Sequence, residues 1–194
     1  MFCKKGRFII ISSVSGGGKT SIIDALKKRS AKIVVAITAT SRTPRKGEKN
    51  GVDYYFYSKE EFQKQVEKNQ FLEHAMVHGN YYGVPAAQQY EKINHGYSVI
   101  LNIDVQGKAN LEKILSPERP LSIFILPPDL KTWEMRLRSR GTDSEATVQK
   151  RLAEGEIELS YASQYDYRIV NGRLEDAVEE IYNILSREGV FGSE

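Results

Sequence analysis

Residues 12–21 read SSVSGGGKTS and bring small residues, consecutive glycines, a lysine and a threonine into one stretch. The apolar run FIII at 8–11 precedes it and apolar residues at helical spacing follow it, so a strand and a helix are predicted on either side. Glycines let backbone N–H groups turn toward an anion, and a helix N-terminus adds partial positive charge. In such a loop Lys19 would reach the β- and γ-phosphates of a nucleotide, and the Thr20 hydroxyl would bind Mg²⁺. The pattern predicts a phosphate-binding loop; the alternative is an ordinary glycine-rich loop with a solvated lysine.

The loop departs at one position from the pattern G-x-x-x-x-G-K-[ST], because Ser13 stands where the first glycine is expected. Serine is small, and we expect it to adopt the turn. The residues expected to bind the nucleotide here are Ser15, Gly16, Gly17, Gly18, Lys19, Thr20 and Ser21, with Thr20 as the metal ligand.

A second group of anion donors follows the next apolar run. Arg42 and Arg45 lie in a segment dense in hydroxyl groups, and Tyr54 and Tyr82 supply two phenols. Arginine forks bind phosphate in a bidentate manner, and tyrosine hydroxyls add neutral donors. The alternatives are a solvated charged loop for the arginines and partial core packing for the tyrosines. We interpret this group as a candidate site for a phosphate acceptor.

A third group comprises Arg136, Arg140 and Arg151. Phosphoryl transfer depends mainly on positioning and on stabilising the charge of the migrating group, and arginines on a closing segment would suit it. Arginines on helices also form ordinary salt bridges, which is the alternative here.

The predicted elements place these groups around one sheet. Strands alternate with helices, which favours an α/β fold with a parallel sheet covered on both faces. A strand is predicted over 99–104, beside the first strand, with Asp104 at its end facing the metal site. Ser58 and Glu61 form a capping box before a helix whose face includes Asn69. Strands are also predicted over 71–77 and 121–126, a basic turn over 136–142, and an amphipathic closing helix over 174–187. The aromatic-rich segment from about 39 to 94 breaks the alternation and is interpreted as a mobile insertion, and 136–151 as a second mobile element.

Composition limits the remaining possibilities. The chain has 194 residues, fits one domain, and carries a net charge of +3, which is too small to imply nucleic-acid binding. The single cysteine, Cys3, excludes an intrachain disulfide and argues against a cysteine-based metal site, and the three histidines lack metal-ligand spacing. No apolar run approaches the length of a membrane-spanning helix, so we expect a cytoplasmic protein.

Five ordered motifs identify a family that the chain resembles over essentially its whole length. They are SRTPRKGEKNGVDYYF at 41–56, FLE at 71–73, GNYYG at 79–83, IDVQG at 103–107 and RLRSRGT at 136–142. Together they resemble guanylate kinases, which transfer phosphate from ATP to GMP. The resemblance implies a P-loop NTPase-type parallel five-stranded sheet flanked by helices. It also implies a core (1–38, 96–135 and 164–194), a GMP-binding insertion (39–95) and a helical lid (136–163).

The resemblance also assigns roles. It implies that the GMP-binding residues are Thr38, Arg42, Arg45, Tyr54, Glu73, Tyr82 and Asp104, with Thr38 and Glu73 reading guanine and Asp104 near the base and the metal. It implies that the catalytic residues are Lys19, Arg42, Arg136, Arg140 and Arg151, and that Asn171 contacts adenine. ATP and GMP are then the substrates, Mg²⁺ the cofactor, dGMP a further acceptor, and the protein a monomer or a homodimer.

Three positions depart from the family pattern. Ser13 and Val14 replace a small residue and proline, Asn102 replaces a common aspartate, and Val84 replaces a serine or threonine that donates to guanine. We expect the first change to affect stiffness, the second to weaken the indirect hold on Mg²⁺, and the third to affect guanine affinity.

Two other functions compete with this one. A guanylate-kinase-like interaction domain without catalysis is disfavoured because Lys19, Thr20 and the arginines of the predicted lid are present. A kinase for AMP or UMP is disfavoured by Glu73, because a carboxylate accepts from N1–H and the 2-amino group of guanine, whereas adenine presents a lone pair at N1.

Overall fold

The computed structural model describes residues 6–45, 47–77, 79–115, 119–139 and 144–191. The strands are β1 (Phe8–Ser13), β2 (Ile33–Val35), β3 (Ala39–Thr40), β4 (Tyr55–Phe56), β5 (Phe71–Val77), β6 (Asn80–Pro85), β7 (Ser98–Asn102), β8 (Leu121–Leu126) and β9 (Tyr167–Val170). The helices are α1 (Lys19–Arg29), α2 (Lys59–Glu67), α3 (Ala86–Asn94), α4 (Val105–Ile114), α5 (Leu130–Arg138), α6 (Glu145–Ser160) and α7 (Leu174–Arg187).

Five strands form a parallel sheet in the order β2-β7-β1-β8-β9, which confirms the predicted fold class. Successive side chains of the central strand β1 face two different hydrophobic cores, one on each side of the sheet. Ile9 and Ile11 pack with the apolar faces of α1 and α7, whereas Ile10 packs with residues of α4 and α5. Burial on both faces explains why β1 begins with four consecutive apolar residues, at 8–11.

The segment between β2 and β7 builds a sheet of its own. Its four strands run in the order β4-β3-β6-β5, and β6 is antiparallel to both β3 and β5. The predicted capping box starts α2, with the Ser58 hydroxyl accepting from the Glu61 N–H. Phe62 of this helix stacks on Phe71 and Tyr81, which fixes α2 against the small sheet.

Three predicted boundaries are wrong. The strand predicted over 99–104 runs from Ser98 to Asn102, so Asp104 lies beyond the strand and caps α4. Asn69 lies beyond the end of α2 and has a left-handed φ of 52°, so it is not part of the helical face. Arg136, predicted in a basic turn, lies on α5, which continues to Arg138. Elsewhere the prediction is close, and the bounds of β5, β8 and α7 are confirmed to the residue.

The topology decides where chemistry can occur. The carboxyl ends of β1, β7 and β8 lie side by side at one edge of the parallel sheet. They lead into the glycine-rich loop, into Asp104 and into α5, respectively. This edge is where ligands bind in open α/β sheets.

Candidate active site

The glycine-rich loop has the backbone conformation of an anion-binding loop. Gly16 and Gly18 have φ of 84° and 93°, and α1 begins directly afterwards at Lys19. A Cβ on Gly17 would lie 1.9 Å from the Ser13 hydroxyl oxygen, so Ser13 fills the space beneath this glycine. Serine in place of the expected glycine at position 13 therefore fits the loop, because Ser13 packs closely against Gly17.

Two buried side chains hold the carbonyls of this loop. The Asn171 amide, only 5% exposed, donates to the Gly17 carbonyl at 2.9 Å. The Trp133 indole donates to the Ser15 carbonyl at 2.7 Å. Asn171 was expected to contact adenine, and in the structure its side chain is bound to the loop. Trp133 was missed by sequence reasoning, because a tryptophan on an apolar helix face indicates only core packing.

Lys19 and Thr20 open α1 at the edge of the loop. Burial lowers the pKa of the Lys19 ammonium, and the nearby Glu158 and Asp104 carboxylates oppose this shift. The Thr20 and Ser21 side chains are exposed in the first helical turn. The lysine therefore lies in a partly desolvated site where its charge acts strongly on an anion.

Arg42, Tyr54 and Tyr82 come together on the small sheet, as predicted for an anion site. The Arg42 guanidinium lies 5.5 Å from the Tyr54 ring centre, and the Tyr54 and Tyr82 ring centres are 6.4 Å apart. Arg42 is held by Glu48, whose two carboxylate oxygens accept from it at 2.8 and 3.0 Å. This bond raises the pKa of Arg42 and lowers that of Glu48.

Glu48 was not predicted as a site residue, although it belongs to one of the quoted motifs. It also accepts from the backbone N–H of Arg45 at 2.7 Å, so it fixes the turn that carries both arginines. The Arg45 side chain is exposed beside this group. A carboxylate thus occupies the fork with which Arg42 would bind a phosphate.

A cavity of about 200 Å³ separates this anion site from the parallel sheet. Five predicted residues line it: Thr38, Tyr54, Glu73, Tyr82 and Asp104. Two of the departures from the family pattern, Val84 and Asn102, line it as well. Val84 is buried against the core cluster and contributes an apolar wall.

Glu73 is the polar residue most deeply set in this cavity. It is 7% exposed, and its carboxylate has no hydrogen bond within the part of the chain that the structure describes. Burial, reinforced by the Asp104 charge, raises the pKa of Glu73 to about 7. Asp104 itself caps α4, accepting from the Gly107 N–H at 2.8 Å.

The described arginines of the third group, Arg136 and Arg151, contact different parts of the molecule. Arg151 on α6 lies 3.5 Å from the Ser15 hydroxyl, at the phosphate-binding loop. Arg136 on α5 donates instead to the carbonyls of Asn171 and Gly172. Arg140 lies outside the described residues.

Over the described ranges, no group of three or more histidine, cysteine, aspartate or glutamate side chains is arranged to hold a metal ion. Within the same ranges, no helix has the length and apolarity needed to cross a membrane.

Comparison with known proteins identifies relatives over nearly the whole chain. The family model described as guanylate kinase matches residues 5–188. The guanylate kinase of Rickettsia bellii is 42% identical over 184 residues, covering 95% of each chain. That of Hahella chejuensis is 44% identical over 184 residues, covering 95% of this chain and 88% of the relative.

A solved structure agrees with this result. The crystal structure of guanylate kinase from Anaplasma phagocytophilum superposes with a TM-score of 0.77 at 34% identity, covering 95% of this chain and 87% of the other.

Proposed function

The chain belongs to the guanylate kinase family, and we propose that it transfers the γ-phosphate of ATP to GMP, with dGMP as a further acceptor and Mg²⁺ on the triphosphate. The resemblance read from the five motifs is confirmed, and so is the class of enzyme, a nucleoside monophosphate kinase. The assignment of individual residues to the two substrates is our proposal.

The assignment of residues to the two substrates rests on one observation. Asp104 lines the cavity that contains Glu73, and its charge also acts on Lys19 in the phosphate-binding loop. A base bound at Glu73 and a phosphate bound at Lys19 would therefore lie in adjoining parts of one cleft. This is the arrangement that transfer between two bound nucleotides requires, because the reacting atoms must meet in line.

On the acceptor side, Glu73 in its ionised form accepts from N1–H and the 2-amino group of guanine, and Thr38 completes the base site. The forks of Arg42 and Arg45 and the hydroxyls of Tyr54 and Tyr82 bind the GMP phosphate. That phosphate is an anion at neutral pH, so the attack needs no general base. Binding GMP replaces the Glu48 carboxylate, at least in part, in the fork of Arg42.

On the donor side, the loop N–H groups and Lys19 bind the β- and γ-phosphates, and Arg151 stabilises the charge on the migrating group. Asn171 keeps the loop in its binding conformation. Arg136 and Arg140 complete the lid. Closure of this segment would exclude water that competes as acceptor.

The residues present fit a magnesium ion bound mainly through the substrate. The exposed Thr20 hydroxyl, at the first turn of α1, offers the hard oxygen ligand that Mg²⁺ prefers. Bound there, Mg²⁺ would neutralise charge on the β- and γ-phosphates. Asn102 at the edge of the cleft offers a neutral amide where a carboxylate would hold the hydrated ion more firmly.

The domain boundaries follow from the same proposal. Residues 1–38, 96–135 and 164–194 form the core, 39–95 the GMP-binding insertion and 136–163 the lid. We further propose a cytoplasmic enzyme that acts as a monomer or a homodimer, without nucleic acid or membrane partners.

A phosphate-acceptor screen tests this function. Purified protein with Mg²⁺ and ATP is offered GMP, dGMP, AMP, IMP, UMP and CMP, and ADP formation is followed. We expect GMP to be preferred and Lys19→Ala to lower turnover by about 10²-fold or more, because a charge on the phosphates is lost in a desolvated site. Preference for another acceptor, no turnover with any acceptor, or near-wild-type turnover of Lys19→Ala would each contradict the proposal.

A further inference from the structure

The single tryptophan of the chain connects α5 to the phosphate-binding loop. Trp133 is 1% exposed, and its indole N–H donates to the Ser15 carbonyl at 2.7 Å. The loop rests on the same ring, because a Cβ on Gly16 would lie 3.4 Å from the Trp133 Cδ1 atom. The indole is thus in contact with the loop through both a hydrogen bond and packing.

The far edge of the same ring meets α6. A Cβ on Gly155 would lie 2.3 Å from Cζ2 and 2.6 Å from Cη2 of Trp133, distances that no side-chain atom could occupy. Gly155 lies inside a helix of 16 residues, where glycine is less favourable than alanine. The close approach of the indole explains the presence of a glycine at this position.

Two charged residues flank Gly155 on the same face of α6. Arg151 is four residues before it and Glu158 three residues after it, spacings that place side chains on one side of a helix. Arg151 lies 3.5 Å from the Ser15 hydroxyl, and Glu158 acts electrostatically on Lys19. The contact between Gly155 and Trp133 therefore lies on the face of α6 that also carries Arg151 and Glu158.

We propose that Trp133 and Gly155 are positioning residues, which hold α6 at a fixed distance from the phosphate-binding loop so that Arg151 is presented to the transferred phosphate. This inference rests on the proposed phosphoryl transfer and adds two residues that do not themselves touch the substrates. Trp133 acts through the Ser15 carbonyl, and Gly155 acts by allowing the helix to approach.

The test uses four variants of the full chain: Gly155→Ala, Trp133→Phe, the double variant Trp133→Leu/Gly155→Ala, and Glu156→Ala as a matched control at an exposed position of α6. In Gly155→Ala the added methyl displaces α6, and we expect kcat to fall about tenfold or more, because small displacements of catalytic groups are costly. The KM for GMP should stay within about twofold, since the acceptor site lies on the other side of the cleft. Leucine leaves room for the methyl but lacks the N–H donor, so the double variant should have a kcat above that of Gly155→Ala and no higher than that of Trp133→Phe.

Two further measurements keep the test independent of folding and of the assay. Trp133→Phe keeps an aromatic ring but removes the N–H donor, and it should lower kcat several-fold with GMP KM unchanged. The fluorescence of Trp133, the only tryptophan, should respond to ATP in the wild-type protein without turnover, and Gly155→Ala should alter that response while Glu156→Ala should not. A wild-type protein that binds ATP but does not phosphorylate GMP would refute the proposed function and leave this fluorescence response measurable.

The inference is overturned if kcat of Gly155→Ala stays within twofold of Glu156→Ala. A higher melting temperature in that case would show only the greater helix propensity of alanine. It is equally overturned if kcat is retained by Trp133→Phe, or if the double variant recovers none of the activity lost in Gly155→Ala.

Discussion

At the scale of single residues, Glu73 is the side chain whose chemistry the fold changes most. Its pKa is raised to about 7 by burial and by Asp104, whereas the ordinary value is 4.5. The folded state therefore binds the proton more tightly than the unfolded state does. The stability contributed by the neutral form is fully present below about pH 4.5 and is lost as the pH rises through 7.

We predict that the free energy of unfolding of the nucleotide-free protein falls by about 2 kcal/mol between pH 5.5 and 8 because of this one group. Denaturant titrations at the two pH values measure the difference, with Glu73→Gln as the comparison, since a neutral amide removes the dependence. The same residue must be ionised to accept from guanine, so the KM for GMP should rise as the pH falls below 7. Identical pH dependence of stability in wild type and Glu73→Gln would refute the assignment.

Single residues also show how much of the candidate site could be predicted from the sequence. The position of Lys19 and Thr20 at the start of α1 could be predicted from a local pattern, because the strand, the glycines and the helix are contiguous in the sequence. The contact between Trp133 and Gly155 joins two helices and depends on how they cross, which no local pattern encodes. Similarly, the binding of Glu48 to Arg42 depends on a turn whose conformation is visible only in three dimensions.

At the scale of elements, the first turn of α4 packs directly against β5. A Cβ on Gly107 would lie 3.1 Å from Oε1 of Glu73 and 3.2 Å from Cβ of Ile103. We predict that Gly107→Ala raises the KM for GMP about three- to tenfold, since the carboxylate must shift and one hydrogen bond to guanine is weakened. Saturating kcat and the KM for ATP should change little.

Steady-state kinetics with each substrate varied in turn measures this effect. Gln106→Ala, at an exposed position in the same helical turn, is the control and should leave the GMP KM unchanged. A KM increase for ATP instead of GMP in Gly107→Ala would mean that Glu73 does not belong to the acceptor site.

Element lengths explain where the predicted fold was accurate and where it was not. Long apolar strands such as β8 and the strongly amphipathic α7 were located to the residue, because burial repeats regularly along them. Strands β3 and β4 have two residues each, too few for a period, and their pairing depends on the small sheet as a whole. Arg136 was misplaced because a basic run resembles a loop, although here it continues α5 and binds backbone carbonyls.

At the scale of the whole molecule, apolar side chains are at least partly exposed on both walls of the cleft. On one wall, Ile157 of α6 is 64% exposed and Tyr161, directly after the end of α6, is 41% exposed; on the other wall, Val77 of β5 is half-buried. Ile157 and Tyr161 border one open cavity together with Val77 of β5. Closure would remove apolar surface from water, in addition to the contacts that each nucleotide would make, in the proposed binding mode, with both the core and one of the flanking segments.

We therefore predict that the insertion (39–95) and the lid (136–163) each approach the core when their own nucleotide binds, and approach it furthest when both substrate sites are filled. Spin labels on cysteines introduced at the exposed Lys64 of α2, Gln149 of α6 and Glu180 of α7, with Cys3 changed to serine, report the distances in pairs. GMP should shorten the distance from α2 to α7, because in the proposed binding mode GMP would bridge the small sheet and Asp104. A non-hydrolysable ATP analogue should shorten the distance from α6 to α7, because in the proposed binding mode the triphosphate would bridge the loop and Arg151. With both ligands bound, each distance should be shorter than with either ligand alone, because only then do the apolar walls meet. If each distance responds to one ligand and is unaffected by the second, the two segments close independently and the prediction is wrong.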